Sequence, residues 1–242
     1  MTTRMHPSRT LTGLTTIGAL ALTAIGSLGL LASPASAADP AVACTGPATP
    51  IPAIQGTNEA AAITGAVTIR GVVVGDYEGA SPALRGFYLQ DPEGDDNPAT
   101  SDGIFVFEGT TNTVSVGQLV EVTGTAAEFQ GQTQVTAATP TTTSIVVCGQ
   151  GPAVKPAKVR FPLASTTELE QYEGMLVTFP EVLTVTEQFL LGRFGQVTVS
   201  SGGKLEQPTS EYRPTDPKAA ALQAYNNRNK VIFDDATNAQ NP

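Results

Sequence analysis

The chain of 242 residues has no tryptophan, a single histidine, and only 13 basic residues against 22 acidic ones. The histidine, His6, lies in an N-terminal segment that we expect to be removed from the chain. Without histidine, neither a Ser-His-Asp nor a Cys-His nucleophile system can form, and a histidine-bearing zinc site is excluded as well. Only carboxylate, lysine or tyrosine chemistry remains available to the processed chain.

Residues 1–37 have the pattern of a cleavable secretory signal peptide. Arg4 and Arg9 precede an uncharged apolar stretch from Leu11 to Ala32, and a small-x-small site ends at Ala37. This order predicts cleavage after Ala37, with a retained membrane anchor as the alternative. We therefore expect a secreted, extracellular protein that has no membrane attachment after cleavage. The absence of a twin arginine favours the general secretory route.

The sequence contains two cysteines, Cys44 and Cys148. An even count in an exported protein predicts one disulfide, and two free thiols are the alternative. Because Cys148 ends an apolar run, the bond would connect the N-terminal arm to the end of a strand.

Short alternating apolar runs between glycine- and proline-rich turns predict an all-β protein. We divide the chain after the signal peptide into a Pro-rich N-terminal arm (38–62), a first OB-like five-stranded barrel (63–148), a linker (149–165) and a second OB-like module (166–242). Strands of the first block are predicted at 67–74, 86–90, 103–107, 117–125, 132–135 and 144–148. Gly71, in the middle of the first strand, marks a position where a barrel strand can bend or bulge.

The second block is predicted to contain strands at 172–179, 183–186, 195–199 and 231–233, with one short helix that begins near Pro217. It has no counterpart of the hairpin that completes the first block. An incomplete barrel leaves open strand edges, which natural proteins rarely leave uncovered. We therefore expect the second module to be truncated and the chain to be the N-terminal part of a longer protein. A complete protein with an irregular C-terminal half is the alternative.

An acidic loop lies between the second and third predicted strands. Its oxygen-bearing side chains follow the spacing of a calcium-binding loop at Asp91, Glu93, Asp95, Asn97 and Asp102. However, the loop has Asp96 where that motif requires glycine, and strands flank it instead of helices. Calcium binding and a solvated hairpin loop both remain open as interpretations.

Charge decides where nucleic acid could contact the chain. Base stacking on Tyr88 or on phenylalanines of the first block would suit an OB barrel, but residues 38–154 carry only Arg70 and Arg85 against 12 acids. Core packing is the alternative for those aromatic side chains. Residues 155–242 carry nine basic and ten acidic residues. Arg193, Phe194 and Lys204 are therefore the main nucleic-acid-binding candidates, with Tyr88 as a further one.

Several stretches, in order from Ile51 to Pro242, resemble the N-terminal region of large secreted bacterial endonucleases that carry a C-terminal endonuclease/exonuclease/phosphatase domain. They are Ile51–Gly56, Gly71–Tyr77, Gly86–Gln90, Tyr172–Val177, Leu205–Thr209, Asp234–Asp235 and Ala239–Pro242. The resemblance implies OB-like modules placed ahead of a metal-dependent catalytic domain, and the Mg²⁺ or Ca²⁺ of that domain has no matching residues in this chain.

The resemblance therefore implies a non-catalytic region of a secreted nuclease, which positions nucleic acid or supports the catalytic domain. Its expected partners are extracellular DNA and that downstream domain. No cofactor is indicated beyond the possible calcium of the acidic loop. An extracellular carbohydrate- or surface-binding β module is the alternative. The sequence predicts no oligomeric state.

Overall fold

The protein is described by a computed structural model that covers residues 44–137, 144–237 and 239–241. The predicted signal peptide, residues 1–37, lies outside these ranges. All described residues belong to one compact unit.

The first block is a closed barrel. A short helix, α1 (Ile51–Gln55), precedes five strands: β1 (Gly65–Tyr77), β2 (Gly86–Gln90), β3 (Gly103–Phe107), β4 (Gln118–Phe129) and β5 (Gln132–Ala137). The strand order is β1-β2-β3-β5-β4, and pairing of β1 with β4 closes the sheet. A sixth strand, β6 (Ile145–Gln150), pairs with β4 outside this ring. The predicted all-β class and five-stranded OB-like barrel are confirmed.

Alternation along the strands builds the barrel core. Phe87 and Leu89 on β2 face inward with Ile104 and Val106 on β3, and all four side chains are fully buried. Helix α1, in the segment predicted only as a Pro-rich arm, adds the fully buried Ile51 and Ile54 to the same core. Such a short helix gives too little periodicity to be predicted from the sequence.

Two glycine positions allow the barrel strands to turn. At Gly71, β1 changes partner from β4 to β2, and a side chain there would meet the Gln90 carbonyl oxygen at 2.9 Å. The β-bulge itself lies between Val73 and Gly75. The predicted β4–β5 hairpin is confirmed, and its turn places Gln130 and Gly131 at φ 54° and 79°.

The second block contains smaller sheets and short helices. Its elements are β7 (Ala157–Lys158), a 3₁₀ helix (Glu168–Tyr172), β8 (Val177–Thr178), β9 (Leu183–Glu187), α2 (Leu191–Phe194), β10 (Val197–Ser201), α3 (Pro208–Glu211), α4 (Pro217–Arg228) and β11 (Val231–Phe233). Strands β9, β10 and β11 form an antiparallel sheet with β10 in the centre, and β7 pairs with β8 in parallel.

Two predictions for this block have different outcomes. The helix near Pro217 is confirmed as α4, and the Asp216 side chain caps it by accepting a bond from the Lys218 N–H. The strand predicted at 172–179 is wrong, because only Val177 and Thr178 are extended in a sheet. Directly before them, the Leu176 carbonyl accepts the Ala157 N–H of β7, while the Leu176 N–H donates to the Gln90 side chain of the barrel.

Aromatic packing holds the second block together. The rings of Phe161 and Phe179 are stacked with centroids 5.5 Å apart, and Phe233 lies 6.0 Å from Phe179. Phe161 belongs to a small core with Val159 and Leu163. The sheet β9–β10–β11 therefore has a packed core of its own.

The predicted disulfide between Cys44 and Cys148 is confirmed, and the two Cα atoms are 5.6 Å apart. The bond ties the segment before α1 to β6, across a sequence separation of 104 residues.

Candidate functional site

The outer surface of strands β2 and β3 is the face that OB barrels commonly use for ligands. Here it carries a row of aromatic side chains. The rings of Tyr77 and Tyr88 lie 5.9 Å apart, edge to face, and Phe105 follows 4.9 Å from Tyr88. Phe105 is 6% exposed, although it belongs to neither hydrophobic core cluster, whereas Phe129 at the end of β4 is 56% exposed.

Much of this face is covered by the chain itself, through residues 173–177 of the second block, which we call the covering segment. The Leu176 N–H donates to the Gln90 side-chain oxygen at 2.9 Å, and the Ser101 hydroxyl donates to the Glu173 carbonyl oxygen at 2.5 Å. Gly103 and Gly174 approach so closely that a Cβ on Gly103 would lie 2.3 Å from the Gly174 carbonyl carbon. The face therefore serves mainly as a contact between the two blocks.

The covering segment also places a carboxyl group in this contact. Glu173 Oε1 accepts a bond from the Thr133 N–H at 3.0 Å. Burial raises the pKa of Glu173 to about 7, and the nearby Glu170 and Glu128 carboxylates act in the same direction. Glu173 thus changes its charge near neutral pH while it lies against the barrel.

One part of the aromatic face stays open, and we call it the tyrosine cleft. This cavity of about 390 Å³ is lined by Tyr77, Tyr88, Gln132, Met175 and Leu176, together with neighbouring backbone. The Gln132 amide donates to the Tyr88 hydroxyl at 3.3 Å. Burial raises the pKa of Tyr88, so the phenol stays neutral. Within the described part of the chain, no charged side chain lines the cleft.

A second cavity lies on the sheet of the second block. It measures about 480 Å³, and we call it the Phe189 pocket. Its apolar walls include Leu169, Phe189, Leu190 and Ile232, and its polar lining is Glu187, Gln196, Thr198, Asn227 and Lys230. Phe189 is 83% exposed, which is unusual for a side chain of this size.

The Phe189 pocket continues into a depression of about 270 Å³. Glu187, Thr198 and Lys230 line both cavities, so the two are adjacent, and we call them together the sheet groove. Lys230 lies at the junction and is exposed. Among the described residues, Arg70 and Arg160 alone form salt bridges, so the cation of Lys230 has no carboxylate partner there.

Three of the predicted nucleic-acid-binding residues lie beside this groove. Arg193 is exposed on α2, with its guanidinium 4.8 Å from the centre of the Phe194 ring and hydrogen bonds to Gln240. Phe194 lines a further depression that shares Gln196 with the Phe189 pocket. Lys204 is exposed and directly precedes Leu205, which lines the other end of the groove. The fourth candidate, Tyr88, lies in the tyrosine cleft instead.

The sequence alone did not single out Phe189 or Lys230. The only sequence signal for Phe189 is an aromatic residue in a stretch without regular alternation after β9. Lys230 lies between α4 and β11. A basic residue near a helix C-terminus is ordinarily explained by its favourable interaction with the helix dipole, so it does not indicate a binding site.

The acidic loop between β2 and β3 uses its side chains to fold itself. Asp91 Oδ1 accepts the backbone N–H groups of Glu93 and Gly94, and Asp95 Oδ1 accepts that of Asn97. The pKa of the Asp102 carboxyl is raised by burial and by the neighbouring aspartates. Across residues 44–137, 144–237 and 239–241, no group of three or more His, Cys, Asp or Glu side chains is arranged to hold a metal ion.

One buried acid was not anticipated from the sequence. Glu108, at the end of β3, is 3% exposed, and its Oε2 lies 3.0 Å from the Thr113 hydroxyl. The same hydroxyl lies 2.8 Å from Glu78 Oε1. The sequence around Glu108 has no pattern that distinguishes a buried glutamate from an exposed one.

Comparison of the chain with protein-family models, with curated protein sequences and with solved structures finds no match. No helix within the described part of the chain is long and apolar enough to cross a lipid bilayer.

Proposed function

We propose that this chain is a non-catalytic region of a secreted nuclease and that its sheet groove positions nucleic acid. The observation that carries the proposal is the groove itself, which is lined by the exposed Phe189 ring and by Lys230, a cation that forms no salt bridge within the described residues. Basic side chains next to an exposed aromatic ring suit a single strand, because phosphates contact the cations while a base stacks on the ring. Glu187 and Glu206 also line the groove, and the exposed Arg193 and Lys204 near it add positive charge for phosphates.

The remaining described surface supports a positioning role more than a catalytic one. The barrel face is largely covered by Glu173–Leu176, and the histidine-free chain after Ala37 has no nucleophile–histidine pair. The assignment to a nuclease rests on the resemblance of the segments between Ile51 and Pro242. The docked second block would present the groove in a fixed orientation to a following domain.

Salt-dependent DNA binding tests the groove. The chain from Ala38 onward is titrated against a labelled single-stranded oligonucleotide at several salt concentrations. Because each neutralised phosphate releases counterions, the Lys204→Ala/Lys230→Ala variant should reduce the salt slope by about 1 to 2. The matched control is Lys155→Ala/Lys158→Ala, since these exposed lysines lie outside the groove lining. Salt-independent binding, or an equal reduction of the salt slope in both variants, would contradict the proposal.

A second assay addresses the absence of catalysis. We expect the purified chain to leave supercoiled plasmid intact in magnesium or calcium. Nicking that increases with the concentration of highly purified chain would contradict a purely positioning role. An open reading frame that continues past Pro242 into a nuclease domain supports the assignment, whereas a wall-anchoring signal there supports the alternative.

The alternative, a carbohydrate-binding module, is favoured by one specific observation. The tyrosine cleft combines two aromatic rings with the Gln132 amide and has no charged side chain in its lining. Such a site suits a neutral polyol better than a phosphate backbone. Tyr77→Ala should then abolish retention on an insoluble polysaccharide, while Tyr225→Ala, on α4, should not. Retention of the Tyr77 variant excludes this candidate.

A further inference from the structure

The Phe189 pocket has the size and lining of a site for one flat, partly polar ring. Its volume is about 480 Å³, and its walls are mainly apolar. Phe189 is 83% exposed and Ile232 is 53% exposed, so both apolar surfaces are accessible to a ligand. A planar ring that enters here would pack against the Phe189 face and would remove apolar area from water.

The pocket also offers hydrogen-bonding groups of both kinds. Gln196 donates its amide to Asp234 Oδ2 at 2.6 Å, which leaves the Gln196 carbonyl oxygen as an acceptor toward the pocket. Asn227 accepts a bond from Gln223 at 2.8 Å, which leaves the Asn227 amide N–H groups as donors. The neighbouring bonds therefore fix the orientation of both amides. An acceptor and a donor in the lining of a mainly apolar pocket suit the edge of a nucleobase.

The charge at the entrance of the pocket suits a phosphate group, to which a nucleobase is connected through its sugar. Lys230 lines both the pocket and the adjoining depression. A phosphate of the same nucleotide or of its neighbour would reach this cation when the ring is inside. The Glu187 carboxylate lines the same junction and Glu206 lines the adjoining depression, so the cavity lining as a whole is not positively charged. Affinity should therefore depend on the ring as well as on the phosphates.

Base stacking in duplex DNA hides both faces of every base. A ring can enter the pocket only when it is unstacked, as in single strands, loops or ends. We propose that the Phe189 pocket receives one unstacked nucleobase of a single-stranded nucleic acid, with the ring on Phe189, its edge between Gln196 and Asn227, and a phosphate at Lys230. This inference rests on the proposed function, because it names the ligand class of the same groove.

The test compares three ligands of equal length on the full chain: a single-stranded oligonucleotide, an abasic strand with the same phosphates, and a duplex, whose second strand doubles the number of phosphates. We expect the single strand to bind most tightly. Phe189→Ala should weaken its binding about 5- to 100-fold without changing the salt slope, and should leave abasic binding unchanged. Phe189→Tyr should restore most of the affinity, because it keeps the ring.

Phe129→Ala is the matched control, since Phe129 is another exposed aromatic side chain and lies on the barrel. Equal binding of all three ligands, together with no effect of Phe189→Ala, would overturn the base pocket and leave the DNA-positioning function intact. Failure of all three ligands to bind in a salt-dependent way would overturn the proposed function itself. Circular dichroism and a melting curve establish that each variant is folded.

Discussion

Glu108 and Glu78 share a single hydroxyl group. Thr113 Oγ1 lies within hydrogen-bond distance of both carboxyl groups, but it has only one proton to donate. Glu78 also accepts the backbone N–H groups of Thr113 and Val114. The two carboxyl groups therefore compete for one hydroxyl donor. Burial, with the neighbouring Glu78, raises the pKa of Glu108 to about 7.

This arrangement predicts a pH dependence of folding stability. The folded pKa of Glu108 lies above the value of about 4.3 expected in the unfolded chain. Its stabilising contribution is therefore complete below about pH 4 and is lost as the pH rises through 7. Glu108→Gln, which stays neutral, should increase the free energy of unfolding at pH 8 by an amount on the order of 1–3 kcal/mol. Urea titrations of both proteins between pH 4 and 8 measure the difference.

Because the variant is compared with the wild type, the contributions of other titrating groups to the stability difference cancel. Glu173 has a pKa of about 7 as well, but it is present in both proteins. Other nearby charges are Asp76, which accepts the Glu78 N–H, and Arg85, which lies over the Phe107 ring. A Glu108→Gln variant whose stability parallels the wild type at every pH would show that Glu108 is ionised in the folded protein.

The acidic loop gives a second expectation for single residues. Calcium would have to compete with the backbone N–H groups that Asp91 and Asp95 already accept. We therefore expect millimolar calcium to leave the melting temperature unchanged, relative to the same concentration of magnesium. Asp95→Ala should lower the melting temperature, because it removes the bond to Asn97 and the contact with the Thr100 hydroxyl. A calcium-specific rise that this variant abolishes would favour the calcium-loop interpretation.

Among structural elements, the contact between the covering segment and β3 depends on two glycines. Gly103→Ala would place a methyl carbon 2.3 Å from the Gly174 carbonyl carbon, which forces backbone to move. We expect a loss of about 1–3 kcal/mol in the free energy of unfolding, measured by urea denaturation. Gly192→Ala is the control, since its Cβ would meet nothing within 4 Å. Equal stability of the two variants would mean that the blocks do not pack at Gly103.

The strands of the barrel could be predicted because their alternation reflects burial directly. Gly86–Gln90 and Gly103–Phe107 were expected with the bounds that the structure has. The covering segment could not be predicted. Its position depends on Gln90 and Ser101, which lie more than 70 residues away in sequence and bond to its backbone. An apolar run such as Met175–Val177 has the same sequence pattern whether it pairs with a strand or packs against the face of a barrel.

The candidate functional residues were predictable only in part, because the pocket combines residues that are far apart in the sequence. Positive charge in the second half of the chain led to Arg193 and Lys204, which are exposed but line neither cavity of the sheet groove, and their role in binding stays a prediction. The pocket itself combines Phe189 from a turn, Gln196 before β10 and Asn227 from α4. No local spacing relates these residues. Only the packing of the sheet against α4 brings them together.

For the whole molecule, the Cys44–Cys148 bond is the long-range covalent constraint. It closes a loop with a sequence separation of 104 residues, so the chain-entropy model gives a stabilisation of up to about 4–5 kcal/mol. Cys44→Ala/Cys148→Ala should lower the free energy of unfolding by up to that amount, measured by urea titration. Reduction of the wild type should reproduce the variant's stability. A reduced wild type as stable as the oxidised protein would show that the bond contributes nothing.

The covering segment has a consequence for experiments on separate parts of this protein. A fragment that ends after β6 would lack Glu173–Leu176, would uncover Gln90 and Ser101, which are 4% and 1% exposed in the whole chain, and would open the cleft that Tyr88 lines. Newly uncovered aromatic surface of this kind is adhesive and promotes self-association. The fragment would therefore bind oligonucleotides, sugars or other copies of itself through a face that the intact protein has already filled, as if the second block were its permanent ligand.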